Sequence, residues 1–372
     1  MKLKVIQLLP ALNAGGVERG TIEVAGELSR RGHQAVVISA GGRLLDELAE
    51  NGAEHICLDI GKKSPDSLLL VKKLRILFQH SGANIIHARS RMPAWLAYLA
   101  WRKMDEATRP RFVTSVHGPY SVNTYSKIMT RGERVIAISD FIREYISTNF
   151  SDVNMDKVSV IPRGIRADSY PRDYKPSKKW LQQWHKQYPQ LANACVITLP
   201  ARITRWKGQE DFINIIANLN QLNLEVYGVI AGGVEARRRS FQEELTGLVQ
   251  AKKLEKKIIF TGHRNDLREV MSASSLVMSL ARTPEAFGRT ALEALGLGVP
   301  VIAYDHGGAG EVLNNIFPQG LVSALDQAAA TKRAQEFILN PPEVTKDNPF
   351  TLKRMLDSTL SLYNELAAAG SV

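Results

Sequence analysis

A strand, a loop, a helix and a second strand follow one another late in the chain, and this succession limits the fold more than any other feature. Residues 276–280 form an apolar run of strand length, which Thr283 and Pro284 end. Apolar residues then repeat with helical spacing over 291–295. The sequence Gly-Val-Pro ends this predicted helix and precedes the next apolar run, which ends at Tyr304. A helix between two parallel strands predicts an α/β fold.

Two glutamates in this unit have the chemistry of a sugar-phosphate site. Residues 287–289 offer backbone N–H groups at the positive end of a helix dipole, where a diphosphate can be held. Glu285 in the loop and Glu293 on the helix can each accept hydrogen bonds from two neighbouring hydroxyls of a polyol. The alternative is that both are ordinary acidic residues near a helix N-terminus, where the dipole favours them.

Strands and helices alternate throughout the 372 residues, which are enough for two domains with separate cores. The chain opens with a strand, a glycine turn, a helix and a second strand, as in one doubly wound half. A second series of strands begins near residue 195. We therefore predict two doubly wound domains, at residues 1–165 and 191–349, with a linker at 166–190 and a C-terminal helix at 350–372.

Two cations follow the first predicted strand of the second domain. Arg202 can form a forked pair of hydrogen bonds with a phosphate, and Lys207 supplies a point charge. Ligands of doubly wound sheets bind at the carboxyl ends of the strands. If the two domains face each other across a cleft, both residues lie where a pyrophosphate binds. The alternative is a pair of solvated cations.

Polar residues also follow strands of the first domain. Gly15 and Gly16 let the backbone approach a ligand closely, although the sequence contains neither G-x-G-x-x-G spacing nor a P-loop. Arg89 and Arg91 lie at the carboxyl end of a strand. There they can hold a phosphate on an acceptor, or form a solvated pair at the start of a helix.

A histidine and two tyrosines follow the next predicted strand. His117 ends that strand, and a lone histidine in this position is often a hydrogen-bonded structural residue. Tyr120 and Tyr125 come next, in a loop that can line an acceptor pocket. These three residues are candidates for contact with substrate at the carboxyl edge of the first sheet.

Several motifs resemble those of the retaining nucleotide-sugar glycosyltransferases of family 4. Residues 284–303 match the E-x7-E signature of that family, with Pro-Glu-Ala-Phe-Gly, then Glu-Ala, then Gly-Val-Pro-Val-Ile-Ala. Residues 15–18 match its Gly-Gly-x-Glu turn. Residues 201–208 match its Gly-Arg-Leu…Lys-Gly motif, with Ala201 where glycine is usual. Arg163 departs from the usual Pro-Asn-Gly of the family.

The resemblance implies a glycosyltransferase-B architecture, with two Rossmann-like domains facing across a cleft, and transfer with retention of configuration. It also implies that residues 1–165 bind the acceptor and residues 191–349 bind the nucleotide sugar. In the family, the residue at the position of His117 faces the transferred sugar. The residue at the position of Glu285 contacts the sugar hydroxyls, and the residue at the position of Glu293 contacts the ribose. We name as catalytic candidates His117, Glu285, Arg202 and Lys207. The donor-binding candidates are Gly15, Gly16, Arg202, Lys207, His263, Arg264, Glu285, Ala286, Phe287, Gly288, Arg289 and Glu293. The acceptor-binding candidates are Glu18, Arg89, Arg91, Tyr120 and Tyr125.

No residue pattern for a metal is present in the sequence. There is no D-x-D, no paired His/Cys ligand spacing and no aspartate-rich loop. We therefore expect no metal and no bound cofactor, with the leaving diphosphate stabilised by cations and a helix end. The nucleotide sugar is then a substrate, and uridine is its expected base by family frequency.

The net charge of +11 implies an anionic partner: nucleic acid, a membrane surface or a phosphorylated substrate. We expect no nucleic acid, because no recognised binding module is present. Residues 68–78 combine apolar residues with Lys72, Lys73 and Arg75, as in a solvated helix face or a surface that docks on anionic lipid. No signal peptide and no apolar run of ~18 residues is visible. This favours a cytoplasmic protein with peripheral contact at the inner face of the cell membrane.

The sequence predicts a retaining, metal-independent glycosyltransferase. It would move a hexose or N-acetylhexosamine from a UDP-sugar to a lipopolysaccharide-core or other surface-glycan acceptor, an anionic glycan or glycolipid. One alternative is a nucleotide-sugar epimerase or phosphorylase of the same architecture. A second alternative, from another class, is a nucleic-acid-binding protein.

Overall fold

The computed structural model describes residues 1–13 and 15–369, except for the side chains of Pro65 and Arg237. The chain divides into two compact units. The first holds Met1–Pro162 and Lys353–Val372, and the second holds Arg163–Leu352. We predicted the first boundary at residue 165. Of the predicted C-terminal helix at 350–372, residues 370–372 lie outside the described part of the chain.

Each unit is built on one parallel sheet, as expected for strands connected by helices. Within the described residues, the strands of the first sheet are β1 Lys4–Leu8, β2 Gln34–Ser39, β3 Glu54–Cys57, β4 Ile85–Ala88, β5 Arg111–Val116, β6 Arg134–Ala137 and β7 Val158–Val160. Those of the second sheet are β8 Cys195–Leu199, β9 Val226–Ala231, β10 Ile258–Gly262, β11 Leu276–Ser279, β12 Val301–Tyr304 and β13 Leu321–Val322.

Helices follow most of the strands. In the first unit they are α1 Gly16–Arg30, α2 Leu45–Glu50, α3 Leu69–Ser81, α4 Arg91–Trp101, α5 Thr124–Lys127, α6 Asp140–Asn149 and the C-terminal α14 Leu352–Ala368. In the second unit they are α7 Lys178–Gln187, α8 Gln209–Gln221, α9 Arg239–Ala251, α10 Leu267–Ser272, α11 Arg289–Gly296, α12 Gly307–Ile316 and α13 Gln327–Leu339.

The strand order of both sheets creates a point where the direction of winding reverses. The first sheet has the order β3-β2-β1-β4-β5-β6-β7, and the second β10-β9-β8-β11-β12-β13. The reversal lies between β1 and β4 in one sheet and between β8 and β11 in the other. Ligands of such sheets bind beside the carboxyl ends of these strands. The segments that follow β8 and β11 are therefore neighbours at the edge where a ligand is expected.

The segment predicted as a linker belongs to the second unit. Helix α7 lies within it, and Trp184 of that helix is 4% exposed and packs against Val196, Val229 and Val270 of the sheet and α10. Trp180 and Trp184 stack with ring centroids 5.1 Å apart. An amphipathic helix with two tryptophans buries enough apolar surface to join a core, so this segment is not a solvated connection.

The glycine-rich stretch after β12 forms a helix. Residues Gly307–Ile316 form α12, and its glycines at 308 and 310 are buried. A Cβ on Gly308 would lie 2.2 Å from Phe287 Cα. Glycine here allows close packing of the helix against the preceding loop, and that packing outweighs the low helix propensity of the residue.

Candidate functional site

Lys207 and Glu285 form an ion pair at the carboxyl edge of the second sheet. Lys207 Nζ lies 2.7 Å from Glu285 Oε1, and the two side chains are only 18% and 15% exposed. Lys207 ends the short helix Arg205–Lys207 after β8, and Glu285 lies in the loop after β11. The adjacency of β8 and β11 thus brings together a cation and a carboxylate that are 78 residues apart in sequence.

The start of α12 holds the backbone of the Glu285 loop. The N–H of Gly308 donates to the Glu285 carbonyl at 2.7 Å. His306 Nε2–H donates to the Ala281 carbonyl at 2.6 Å. Gly307 has φ +58°, and a Cβ on it would lie 2.7 Å from the Glu285 carbonyl oxygen. The loop is therefore fixed at Ala281 by the His306 side chain and at Glu285 by the Gly308 backbone, and these contacts orient the Glu285 side chain.

A buried polar network supports the same loop from below. Asp211 is 1% exposed and accepts hydrogen bonds from Tyr304 Oη and Gln327 Nε2, each at 2.9 Å. Burial and the charge of Asp211 raise the pKa of Tyr304. Arg282 lies 3.3 Å from Asp211, and its backbone N–H donates to the Trp206 carbonyl at 2.7 Å. The network links the segments that carry Lys207 and Glu285.

Helix α11 begins after Gly288, a position where the backbone conformation and the neighbouring chain leave no room for a side chain. Gly288 has φ +74°, and a Cβ on it would lie 2.6 Å from Ala309 Cα. Phe287 is 5% exposed and packs edge to face on Phe350 at 5.6 Å between ring centroids. A ligand at this position can therefore contact only the backbone groups of Phe287 and Gly288.

Glu293 lies inside the second unit. It is 7% exposed, and Arg289 Nε donates to its Oε1 at 2.9 Å. Tyr170 is hydrogen-bonded to Glu293, and burial together with the Glu293 charge raises the pKa of Tyr170. Arg289 and Tyr170 thus fix the orientation of the Glu293 carboxylate.

A polar cavity of about 600 Å³ adjoins Tyr170. It is lined by Ser169, Tyr170, His263, Arg264, Asn265, Asp266, Arg268 and Glu269. This volume is in the range of small-molecule pockets. Both predicted base-binding residues, His263 and Arg264, line it.

Part of the Arg264 guanidinium is already used in contacts within the protein. Its Nε donates to Asp266 Oδ1 at 2.8 Å, and the guanidinium lies 5.2 Å above the ring of Trp184. Burial opposes ionisation of Asp266, but the hydrogen bonds from Arg264 and Trp180 lower the pKa of this carboxyl. His263 Nε2 instead contacts Asn265 Oδ1 at 3.0 Å on the exposed side. The neighbouring asparagine is a cavity residue that sequence reasoning missed.

Arg202 extends from the same strand end as Lys207. Its side chain is 70% exposed and lies 3.5 Å from Glu235. Gly232 packs against its backbone, since a Cβ on that glycine would lie 2.8 Å from Arg202 N, and Gly233 packs against His263 in the same way at 3.3 Å. The turn after β9 therefore joins the Arg202 and His263 segments, and Arg202 is free to move toward a ligand.

In the first unit, Gly15 and Glu18 form a compact turn before α1. Gly15 has φ +151°, and a Cβ on it would lie 2.5 Å from Glu18 Oε2. The carboxylate thus folds back over the glycine. The Gly15 carbonyl accepts the first helical bond from Arg19 N at 3.0 Å. Gly15 and Gly16 are both exposed in this turn.

Three acceptor-side candidates lie together in the first unit. The Arg91 guanidinium is 4.8 Å from the Tyr120 ring centroid and 5.3 Å from that of Tyr125. The backbone N–H of His117 donates to Tyr120 Oη at 3.3 Å. Lys63, which sequence reasoning did not select, lies 4.5 Å above the Tyr125 ring. These residues form a cationic aromatic cluster next to His117.

Arg89, which we predicted to bind the acceptor beside Arg91, does not join this cluster. It is 4% exposed, and it donates to Gln7 Oε1. Burial lowers the pKa of Arg89, while the nearby charges of Tyr363 and Glu23 oppose that shift. His87, two residues earlier, contacts Tyr363 of α14. Arg89 therefore points to the sheet face that the helices cover.

The residues 1–13 and 15–369 contain no group of three or more His, Cys, Asp or Glu side chains arranged to hold a metal. Among the described helices, none combines the length and apolar character that crossing a bilayer requires.

Comparison with known proteins decides the family. Residues 14–169 match the sequence profile of Glycosyltransferase Family 4, and residues 182–348 match that of Glycosyl transferases group 1. The crystal structure of a glycosyltransferase from Rickettsia africae ESF-5 is 30% identical, covers 98% of each chain and gives a TM-score of 0.82. This chain belongs to the glycosyltransferases.

Other relatives of this glycosyltransferase are more distant. The lipopolysaccharide core biosynthesis mannosyltransferase LpcC of Rhizobium leguminosarum bv. viciae is 28% identical over 171 residues, which span 46% of this chain and 48% of LpcC, about half the length of that relative. HepE of Anabaena, in complex with UDP and glucose, is 20% identical, covers 99% of each chain and has a TM-score of 0.76. These comparisons confirm the predicted fold class, with two parallel α/β domains of the glycosyltransferase-B kind, and the predicted family resemblance.

Three residues that lie beside the candidate site residues could not be found from the motifs. Tyr170, Asn265 and Lys63 lie outside every motif that we used. Tyr170 lies in the segment that we read as a linker, Asn265 directly follows two selected residues, and Lys63 belongs to a basic pair before α3. The sequence did offer a signal for Asn265, because this residue directly follows two donor-binding candidates at the end of a predicted strand. For the other two, only the fold supplies the contact.

Proposed function

We propose that this glycosyltransferase moves a hexose or N-acetylhexosamine from a UDP-sugar to a lipopolysaccharide-core or other surface-glycan acceptor, with retention and without a metal. The half-buried Lys207–Glu285 pair at the carboxyl edge of the second sheet carries the proposal. The UDP and glucose bound by HepE and the lipopolysaccharide-core role of LpcC support the classes of donor and acceptor.

In this mechanism the second unit binds the donor. Lys207 and the exposed guanidinium of Arg202 neutralise the charge that develops on the leaving diphosphate, together with the N–H groups at the start of α11. Glu285, held by Lys207 and the α12 backbone, accepts hydrogen bonds from the sugar hydroxyls. Glu293 accepts those of the ribose.

We propose that His117 and the Gly15–Gly16 backbone contact the transferred sugar, as the resemblance to family 4 implies. Retention follows if the acceptor hydroxyl attacks the face from which the diphosphate departs, and a departing phosphate oxygen takes the acceptor proton. The Lys207 ion pair favours Glu285 as a hydrogen-bond acceptor over a role as nucleophile, because a carboxylate neutralised by a cation is a weak nucleophile.

Binding of nucleotide diphosphates tests the donor assignment. We expect UDP at about 100 times its Kd to stabilise the protein by about 2.7 kcal/mol, a rise in apparent Tm of roughly 5–10 °C. The rise should exceed that with GDP, ADP or CDP, and it should be the same in EDTA. Arg202→Ala should weaken UDP binding about tenfold or more, because a charge-assisted hydrogen bond contributes about 1.5–3 kcal/mol.

Arg205→Ala is the matched control, because Arg205 lies on the same segment, is 65% exposed and pairs with Glu244 at 2.6 Å. Full UDP affinity in the Arg202 variant would remove this residue from the donor site. A requirement for Mg²⁺ or Mn²⁺ in transfer would overturn the metal-free mechanism. Turnover of the nucleotide sugar without any acceptor would favour the epimerase or phosphorylase alternative. Salt-sensitive binding of random DNA with no response to nucleotides would favour the nucleic-acid-binding alternative.

We also propose that α3 contacts an anionic membrane surface. Leu68 and Leu69 are 60% and 76% exposed at its start, and Ile76 is 46% exposed further along. Lys72 and Lys73 are exposed on the same helix. Exposed apolar residues beside lysines on one helix match a surface of anionic lipid headgroups, where both charge and apolar burial contribute.

Vesicle sedimentation tests this contact. The wild-type protein should bind vesicles of phosphatidylglycerol and phosphatidylethanolamine, and little of it should bind neutral phosphatidylcholine. Lys72→Glu with Lys73→Glu should weaken the binding by about tenfold or more, because each lysine near such a surface contributes about 1 kcal/mol. The control pair, Lys178→Glu with Lys179→Glu, changes the net charge equally in the second unit. Equal loss in both pairs would show a general charge effect and exclude α3 as the contact.

A further inference from the structure

Two cations in the first unit share one aromatic frame. The Arg91 guanidinium lies over the rings of Tyr120 and Tyr125, and Lys63 Nζ lies over the ring of Tyr125. Arg91 begins α4 after β4, and both tyrosines follow β5, the neighbouring strand. The cluster therefore lies at the carboxyl edge of the first sheet.

The frame is held in place by its own hydrogen bonds. Trp95 Nε1 donates to the Tyr125 carbonyl at 2.9 Å, and the Tyr145 hydroxyl donates to the Tyr120 carbonyl. Arg91 Nη1 donates to Ser126 Oγ at 3.2 Å. A guanidinium has five N–H donors, so this single bond leaves most of its donors for another acceptor.

The two cations have no acidic counterpart. Across residues 1–13 and 15–369, no carboxylate lies within ion-pair distance of Arg91 or Lys63. Other cations of the same unit do have one: Arg109 with Glu106, Arg111 with Glu133, and Lys127 with Asp152. Two positive charges on one aromatic frame repel each other, and an anion between them would remove that repulsion.

We propose that Arg91 and Lys63, framed by Tyr120 and Tyr125, form an acceptor subsite that binds the anionic group of a sugar, a phosphate or a carboxylate. This inference rests on the proposed function, since it specifies the acceptor of the same reaction. The planar guanidinium matches a pair of phosphate or carboxylate oxygens, and the ammonium adds a point charge. The bond from His117 N–H to Tyr120 Oη places the subsite next to His117, the residue proposed to face the transferred sugar.

Binding of three small probes to the full chain, in the presence of UDP, tests the subsite. The probes are glucose 6-phosphate, glucuronate and glucose, followed at millimolar concentration by ligand-observed NMR. Glucose 6-phosphate or glucuronate should bind and glucose should not. A preference for one of the two anions identifies the group as phosphate or carboxylate. Arg91→Ala should weaken the binding by about tenfold or more.

Further variants separate charge from structure. Arg91→Lys keeps the charge but lacks the planar guanidinium, so its affinity for the anionic probes should be intermediate. Lys63→Ala should reduce that affinity by a smaller factor than Arg91→Ala. Arg102→Ala removes an exposed arginine at the other end of α4 and should bind as the wild type does. UDP binding should be the same in all four variants.

The outcomes are distinct from those for the donor site. If UDP binds but neither anionic probe does, or if Arg91→Ala binds them as well as the wild type, the subsite proposal is wrong and the donor assignment stands. If UDP itself does not bind, the proposed function fails. Loss of probe binding in Arg102→Ala to the same degree as in Arg91→Ala would show a nonspecific charge effect and would also overturn the subsite.

Discussion

Lys207→Ala is expected to lower kcat by about 10² to 10³, with a smaller change in KM for the donor. The side chain is 18% exposed and its ammonium is 2.7 Å from Glu285, so its charge acts where water screens it little. We propose that this charge stabilises the leaving diphosphate more strongly in the transition state than in the bound donor. Steady-state kinetics with a UDP-sugar donor measures the effect.

The loss should depend on the ion pair as a whole. Glu285→Gln should also lower kcat. The increase in activation free energy in the double variant should be smaller than the sum of the increases in the two single variants, because the two residues are in direct contact. Lys207→Arg should retain part of the activity, and Lys179→Ala, an exposed lysine of the same unit, should retain all of it. A kcat near the wild-type value in Lys207→Ala would remove this residue from catalysis.

The sequence predicted the sheet positions well, because parallel strands with helical connections leave few arrangements. The carboxyl ends of neighbouring strands must meet, so the Lys207 and Glu285 segments could be expected at one edge. Helix α6 begins directly after Ser139, which caps it by accepting the Ile142 N–H at 3.1 Å, as a serine at a helix start commonly does. Local pattern and topology were sufficient for these features.

Side-chain direction was harder to predict than strand position. Arg89 and Arg91 are two residues apart, but Arg89 continues the alternation of β4 while Arg91 already belongs to α4. Gln7 is the register partner of His87, and Arg89 follows two residues later on the same face. This polar alternation was the available signal that Arg89 points into the interior. We had treated the two arginines as one pair.

Contacts between distant segments could not be predicted from the motifs at all. Arg264 was predicted to bind the donor, but its guanidinium donates to Asp266 and lies over the ring of the distant Trp184. Tyr170 meets Glu293 only because the segment at 166–190 packs into the second unit instead of linking two domains. A single sequence without its tertiary contacts does not show which polar groups are already satisfied.

Gly288→Ala is expected to destabilise the second unit and to lower activity in the protein that remains folded. The backbone at Gly288 has φ +74°, and the added Cβ would lie 2.6 Å from Ala309 Cα. The left-handed conformation costs about 1–2 kcal/mol for alanine, and overpacking adds about 1–3 kcal/mol. A loss of about 3 kcal/mol would lower the apparent Tm by roughly 6–12 °C. Thermal unfolding with and without UDP, together with kcat of the folded fraction, measures both effects.

Gly247→Ala is the matched control for this substitution. Gly247 lies within α9 and is exposed, and a Cβ on it meets no atom within 4 Å. Alanine there should stabilise the protein by about 0.5–1 kcal/mol through helix propensity, and it should leave kcat unchanged. The same change of residue thus has opposite expected signs at the two positions, because only Gly288 combines a left-handed backbone with a neighbouring backbone in contact. If Gly288→Ala were as stable and as active as the wild type, the close packing of the Glu285 loop on α12 would not be what positions the donor site.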